Sequence, residues 1–404
     1  MSKSTLQTEP YAQPADASFD RVAVTLVILA GVVAALHVGK GPIALSDMQV
    51  TFGRSLADLS GVLSVFAFVG VIGSMAAGAL AQRLGDRRVL VAGLVILGLA
   101  SLAGAAAPGY AWLLATRIVE GLGFLMFVVA APAALNRLTP PDRRSIVFGF
   151  WGTFMGIGIA LSMLLGPLLG SWQGLWLFDS ALALIMAIWV GWRIPAAPAM
   201  AGTRTDAGQD VRRVPGSRPI WLLAAAFGVY NLQFFAMMSF LPNFLMQRVG
   251  LSMAQAGAAS AVIMLANAAG NVLGGFSLQR GTGPARLMGL GYLAGGLLGV
   301  LAFLPATPGP AVLLLCVAFG AVAGVLPATF LASVARSAPA PQLTPMSLGL
   351  VMQGNYLGQV IAPMQAGALL AVFGWAAIGA QIGMAALAGL VLVWGYKRAT
   401  GTSS

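Results

Sequence analysis

Stretches of about twenty apolar residues recur along the entire chain, and they limit its fold more than any other feature. Crossing ~30 Å of hydrocarbon takes roughly 20 such residues in a helix. Inside a bilayer, only helices and closed barrels satisfy their own backbone. Twelve stretches qualify, at about 22–45, 56–80, 88–106, 110–135, 146–170, 173–193, 219–246, 254–278, 286–305, 310–334, 346–371 and 376–396. Charged residues make up 8% of the chain, against about 25% in soluble domains. The expected class is therefore an all-α membrane protein of twelve spans, with no room for a separate soluble domain. The first 20 residues are polar and carry Glu9, Asp16 and Asp20. Without an apolar core they do not read as a cleavable signal, so the first span is expected to insert itself.

The basic residues set the orientation. Of 22 Lys and Arg, all but Lys40, Arg54, Arg117 and Arg248 fall on one side if spans alternate. By the positive-inside rule that side is the cytoplasm and both termini lie there, as expected of a multi-pass protein of a bacterial-type inner membrane. The net charge of +11 is spread over short loops. Nucleic-acid binding would gather it on one exposed face, so no nucleic-acid partner is expected. No GxxxxGK[ST] loop and no Cys/His cluster occurs, so neither a cofactor nor a metal is expected. The single His lies inside span one without a Ser partner, which leaves an intramembrane hydrolase unsupported. Cys316, the one cysteine, sits in an apolar run.

The chain reads as two halves. Residues 194–218 are rich in Pro, Gly and Arg, as a linker would be. They separate an expected six-helix bundle at 22–193 from another at 219–397, with tails at 1–21 and 398–404. Gln82-Arg83 repeats as Gln279-Arg280 at an offset of 197. Gly158, Ser162, Gly166 and Pro167 correspond to Gly354, Gly358, Ala362 and Pro363 at 196, and Gly121, Arg137 and Pro140 to Gly320, Arg336 and Pro339 at 199. An offset that stays near half the chain length marks a duplicated unit.

Arg117 and Glu120 interrupt the apolar run of span four. Charge in hydrocarbon is costly and marks a functional site; at i, i+3 the two side chains share a helix face. Leu113, Arg117, Glu120, Gly121 and Gly123 together resemble the fourth-helix motif of the major facilitator superfamily of transporters. The resemblance implies twelve helices in two six-helix repeats, alternating access, and a coupling role for Arg117. Glu120 stands where that family more often has Gln, and a titratable group there suits proton coupling. Gly78-x-Leu80-x-Gln82-Arg83-x-Gly85-Asp86-Arg87-Arg88 is similar to the family's second-to-third loop signature, with Gln82 for the usual Asp and Asp86 for a usual Arg. Asp86 would either supply a carboxylate to a neighbouring helix end or pair with Arg87 or Arg88 in solvent. Gly158-x3-Ser162-x3-Gly166-Pro167 resembles a motif of drug/proton exchangers; its small residues permit close packing, and Pro167 is expected to bend span five.

Carboxylates are scarce, and none follows Asp210. A carboxylate proton site must lie in the first half, where the candidates are Asp58, Glu120 and Asp179, with His37 beside them. Asp58 suits a helix start, and Asp179 a structural hydrogen bond. His37 and Lys40 share a face of span one. At ~1.5 Å per residue they reach the depth of Arg117 and Glu120, so the four are expected to converge; the alternatives are that Lys40 snorkels to the outer interface and that His37 only packs. Three potential cations against one carboxylate favour an anionic substrate, with Arg117 or Lys40 as counter-charge and His37 or Glu120 titrating. In the second half, Tyr230, Asn231, Gln233 and Asn355 are the candidates for orienting it, with Phe234 and Phe235 as apolar wall. Asn267 and Asn271 read as interhelical hydrogen-bonders. The His37-Val-Gly39-Lys40-Gly41-Pro42 turn is similar to the cyanate-permease-like branch of the family. The expected activity is proton-coupled uptake of a small anion by a monomer in the bilayer; the alternative is proton-antiport efflux of lipophilic drugs.

Overall fold

In the computed structural model, residues 20–196, 214–340 and 343–401 are described. All their regular structure is helical, and twelve helices are long and apolar enough to cross a membrane. The first half runs α1 Arg21–Phe52, α2 Leu56–Leu84, α3 Asp86–Ala105, α4 Tyr110–Leu138, α5 Arg144–Trp151, α6 Phe154–Leu165 and α7 Trp172–Arg193. The second runs α8 Arg218–Met238, α9 Leu241–Val249, α10 Met253–Gln279, α11 Pro284–Phe303, α12 Gly309–Ser337, α13 Thr344–Phe373 and α14 Ala376–Thr400. An even number of crossings puts the described ends, Asp20 and Gly401, on one side, here termed the terminal side.

Three elements differ from the apolar pattern. Helix α1 continues past Pro42 to Phe52, where Gly53 caps it at φ +61°; its extra turns pack against α7 through Trp172, whose ring lies 5.5 Å from that of Phe52. Span five breaks at Gly152-Thr153 into α5 and α6, and Pro167 ends α6 instead of bending it, because Gly166–Leu169 tightens into a 3-10 turn. Span seven stops at Ser239, and Pro242 starts the separate helix α9, proline being suited to a first helical turn.

The duplication is visible in how helices meet. A methyl group on Gly39 would lie 2.8 Å from Ile159 Cα and Ser162 Cβ, so α1 and α6 pack backbone to backbone. Gly354 and Gly358 do the same for α13 against Ala224 and Gly228 of α8. Likewise Gly121 of α4 abuts the Phe66 carbonyl of α2, and Gly320 of α12 abuts the Ile263 carbonyl of α10. The motif glycines are thus the contact points of the repeat. Between the halves, Gly70 of α2 lies on the Tyr356 ring of α13 and Gly156 of α6 on Ala268 of α10. Asn243 donates to Ser46 Oγ at 2.8 Å and Asn271 to the Gly152 carbonyl at 3.2 Å. Asn267 donates to the Gly320 carbonyl at 3.2 Å, within the second half.

On the terminal side, Gly85 starts α3 at φ +84°, a conformation that favours glycine. It delivers Asp86 to Arg137 of α4 in a two-pronged pair of 2.8 and 2.9 Å, and Arg137 also donates to the Pro195 carbonyl at 3.1 Å. The Arg87 guanidinium donates to the Gly191 carbonyl of α7. Asp86 therefore ties α3 to α4 and does not simply pair with its neighbours in solvent. Gly78 and the side chains of Gln82 and Arg83 lie outside the described residues.

Candidate functional site

Helices α1 and α4 cross in the far half of the first bundle and bring their charges to one point. Glu120 Oε2 receives Arg117 Nη1 at 2.7 Å, Lys40 Nζ at 2.9 Å and His37 Nδ1 at 3.1 Å. All four side chains are buried, and Glu120 Oε1 has no partner. Arg117 is pinned further, donating through Nε to the Val62 carbonyl at 3.2 Å and through Nη1 to the His37 carbonyl at 3.0 Å. Its guanidinium lies over Phe66, 4.3 Å from the ring centre. Such a fork needs a planar, five-donor group that Lys cannot imitate.

Lys40 points into the bundle. It donates to Ser101 Oγ of α3 at 2.7 Å, and its Nζ sits 4.3 Å from the Trp176 ring of α7. Ser101 in turn donates to the Trp176 carbonyl at 2.8 Å. Lys40 also approaches His37 Nδ1 at 3.2 Å. One nitrogen cannot both donate to Glu120 and accept from Lys40. The proton on Nδ1 satisfies Glu120, and Nε2, buried without any partner, has no acceptor for a second. His37 is then neutral, and Lys40 finds its charge partner in Glu120. Asp179 lies one helical turn from Trp176, fully buried, with both carboxyl oxygens unpartnered. It interacts electrostatically with Lys40, Glu120 and Arg117.

The cluster belongs to the first bundle, and only Arg117 meets the second half. It lines a cavity of about 30 Å³ together with Val38, Pro42, Phe66, Phe235, Gln359 and Pro363, among others. Pro42 and Pro363 lack the N–H that would bond the carbonyls of Val38 and Gln359, so two helix carbonyls without their usual donor flank this space. Its volume admits one or two waters; a larger occupant requires the halves to separate here. A cavity of about 340 Å³ on the far side includes Asp47, whose carboxylate is engaged by the Trp172 N–H at 2.6 Å.

The four convergent residues expected from the sequence are therefore together. The second-half candidates are not beside them. Asn231 donates to Asn355 Oδ1 at 2.8 Å and to the Phe227 carbonyl at 2.9 Å; these two Asn lie one turn from Phe235 and Gln359, towards the terminal side. The Tyr230 ring stacks on Phe234 at 5.8 Å within the second bundle. The Gln233 amide nitrogen faces Gly295 and Gly296 of α11, away from the cavity, and has no partner. Asp58 forms a reciprocal cap with Ser55 at the start of α2. Gly166 packs on Ile43 of α1. Sequence reasoning assigned no role to Ser101, Trp176 or Ser239; Ser101 carries no charge to flag it, and its partner is remote in sequence.

Residues 26–344 and 223–403 match the family model described as Major Facilitator Superfamily. The 4-hydroxybenzoate transporter PcaK of Pseudomonas aeruginosa is 32% identical over 167 residues, 40% of this chain and 37% of that protein. A methylenomycin A resistance protein of Bacillus subtilis is 29% identical over 182 residues, 43% of this chain and 39% of that protein. The chain thus matches about two fifths of the length of these relatives. The probable nitrate/nitrite transporter NarK2 of Mycobacterium tuberculosis is 28% identical over 340 residues, 81% of this chain and 83% of that one. Among solved structures, a bacterial homolog to the human lysosomal transporter Spinster, inward-facing and unoccupied, superposes with a TM-score of 0.77 at 17% identity. It covers 96% of this chain and 98% of its own, and this likeness carries the fold alone.

Proposed function

We propose, for a chain that belongs to the major facilitator superfamily and is a transporter and not an enzyme, proton-coupled uptake of a small anion by alternating access. The observation that carries this reading is the position of Arg117. It is the one member of the buried charge cluster that touches the space between the halves. An anion entering there meets a fixed guanidinium, the Ser239 hydroxyl and the Gln359 amide, walled by Phe66 and Phe235. As the halves part, Asn231 and Asn355 extend the same wall towards the terminal side. The rest of the cluster, His37, Lys40 and Glu120, is the coupling machinery, connected to Arg117 through one carboxylate oxygen. PcaK and NarK2 are named for anions, 4-hydroxybenzoate and nitrate or nitrite, which supports an anionic substrate.

The protein would sit as a monomer in a bacterial inner membrane, with both termini and the 194–218 linker in the cytoplasm, as its basic loops favour. The Asp86–Arg137 pair and the Arg87–Gly191 contact would hold the cytoplasmic ends of α3, α4 and α7 as one body during transport. The competing reading is efflux of lipophilic drugs, favoured by the methylenomycin A resistance relative. A cationic drug needs a carboxylate facing the cavity, and Glu120 lies behind Arg117. Liposomes containing the protein and a pH-sensitive dye separate the two. Proton entry accompanying nitrate, cyanate or 4-hydroxybenzoate supports uptake; proton movement opposite to methyl viologen, with none accompanying the anions, refutes it.

A further inference from the structure

Asp179 differs from every other described aspartate in its surroundings. Every other described aspartate has a donor or a cation. Asp20 pairs with Arg193, Asp86 with Arg137 and Asp142 with Arg143; Asp47 accepts from the Trp172 N–H and Asp58 from Ser55. Asp179 alone is fully buried with both carboxyl oxygens unpartnered. An ionised carboxylate without a hydrogen bond in such a place costs far more than a neutral acid, whereas Glu120 has three donors on one oxygen.

The charged groups that interact with Asp179 are Lys40 from α1 and Arg117 and Glu120 from α4; α3, also packed on α7, carries no charge between Val89 and Ala105. With both carboxylates ionised, Lys40 and Arg117 are balanced and the pocket is neutral. With Asp179 protonated it carries one positive charge in excess. Lys40 and Arg117 then share Glu120, as seen here at 2.9 and 2.7 Å, and the excess positive charge of the pair is left to a ligand in the cavity. When the proton leaves, Asp179 becomes an anion next to Trp176, the ring that already supports Lys40. Lys40, on its flexible stem, swings from Glu120 to Asp179, and Arg117 becomes the sole cation of Glu120.

We infer that Asp179 is the residue that carries the transported proton, that Lys40 is the switch between the two carboxylates, and that one proton loads the site for one monovalent anion. This deepens the uptake reading, giving it a sign: proton and anion bind together and leave together. It also moves the proton from Glu120, which stays ionised, to α7.

Infrared difference spectra of the full chain in liposomes, taken between neutral and alkaline pH, test this without any substrate. A protonated-acid C=O band should be present at neutral pH and lost on the alkaline side. It should shift when aspartate side-chain carboxyls carry carbon-13 and stay put when glutamates do, both in wild-type protein. Asp179→Asn should lack it, and Asp179→Glu should transfer it to the glutamate-labelled set. No aspartate acid band in wild type, a glutamate one in its place, or an aspartate band surviving in Asp179→Asn overturns the assignment. Wild-type protein that shows the Asp179 band but moves no proton with any anion would end the uptake reading and leave the proton site standing.

Discussion

Replacing Glu120 with Gln tests whether the buried cluster is held by charge. The substitution keeps the shape of the side chain and removes the anion that Arg117, Lys40 and His37 reach at 2.7, 2.9 and 3.1 Å. Two cations then remain in a pocket sealed from solvent. Breaking a buried pair by deleting one partner costs about 3–5 kcal/mol, because the surviving charge is left uncompensated. Asp179 offsets part of this by giving up its proton, so the lower end, about 3 kcal/mol, is expected. For a cooperative unit the size of one six-helix half, each kcal/mol moves Tm by roughly 2–4 °C, and the drop is about 6–12 °C. Adding Lys40→Met removes the matching cation. The double variant should recover stability, with a coupling of about 1–3 kcal/mol between the two sites. Tryptophan-fluorescence melting in detergent reads both, since Trp176 lies under Lys40. If Glu120→Gln melts with wild type, or the double variant loses the sum of the two single losses, the charge account of the cluster is wrong.

Lys40→Ala should weaken anion binding more than tenfold, or about 1.4 kcal/mol, because Glu120 then claims Arg117; unchanged affinity by isothermal titration would remove Lys40 from the switch. Arg117→Lys cannot hold the Val62 and His37 carbonyls and Glu120 together, so uptake of radiolabelled anion should fall to the level of empty liposomes while the protein remains folded. Gly39→Val should cost about 1–3 kcal/mol through overpacking, as its Cβ meets backbone of α6, and a normal melting temperature would contradict the close crossing of α1 and α6. Arg137→Ala opens a partly exposed pair and should lower stability by about 1 kcal/mol, while altering the transport rate more than anion affinity; an unchanged rate would make the Asp86 contact a packing feature.

Period, composition and repetition were enough to read the membrane class, the twelve crossings and the duplication, because hydrocarbon leaves a chain so few ways to satisfy its backbone. The pairing of His37 with Lys40 and of Arg117 with Glu120 was legible too, since i, i+3 spacing fixes a shared helix face before anything packs. What the two pairs would meet was not. Whether Lys40 faced the cleft, the membrane surface or the bundle depended on how α1 rotates against α6, and Gly39 on Ile159 and Ser162 decides that. Pro42, Pro167 and Pro363 read alike along the chain, yet α1 and α13 run through theirs while α6 ends, since only neighbouring helices determine whether the next turn is supported. Gln233 resembles Gln359 in sequence, but one faces the glycines of α11 and the other the cavity. Asp179 looks in sequence like any short polar residue near a helix end. Only the packed bundle gives its carboxyl no partner of its own, beside the cations of two other helices.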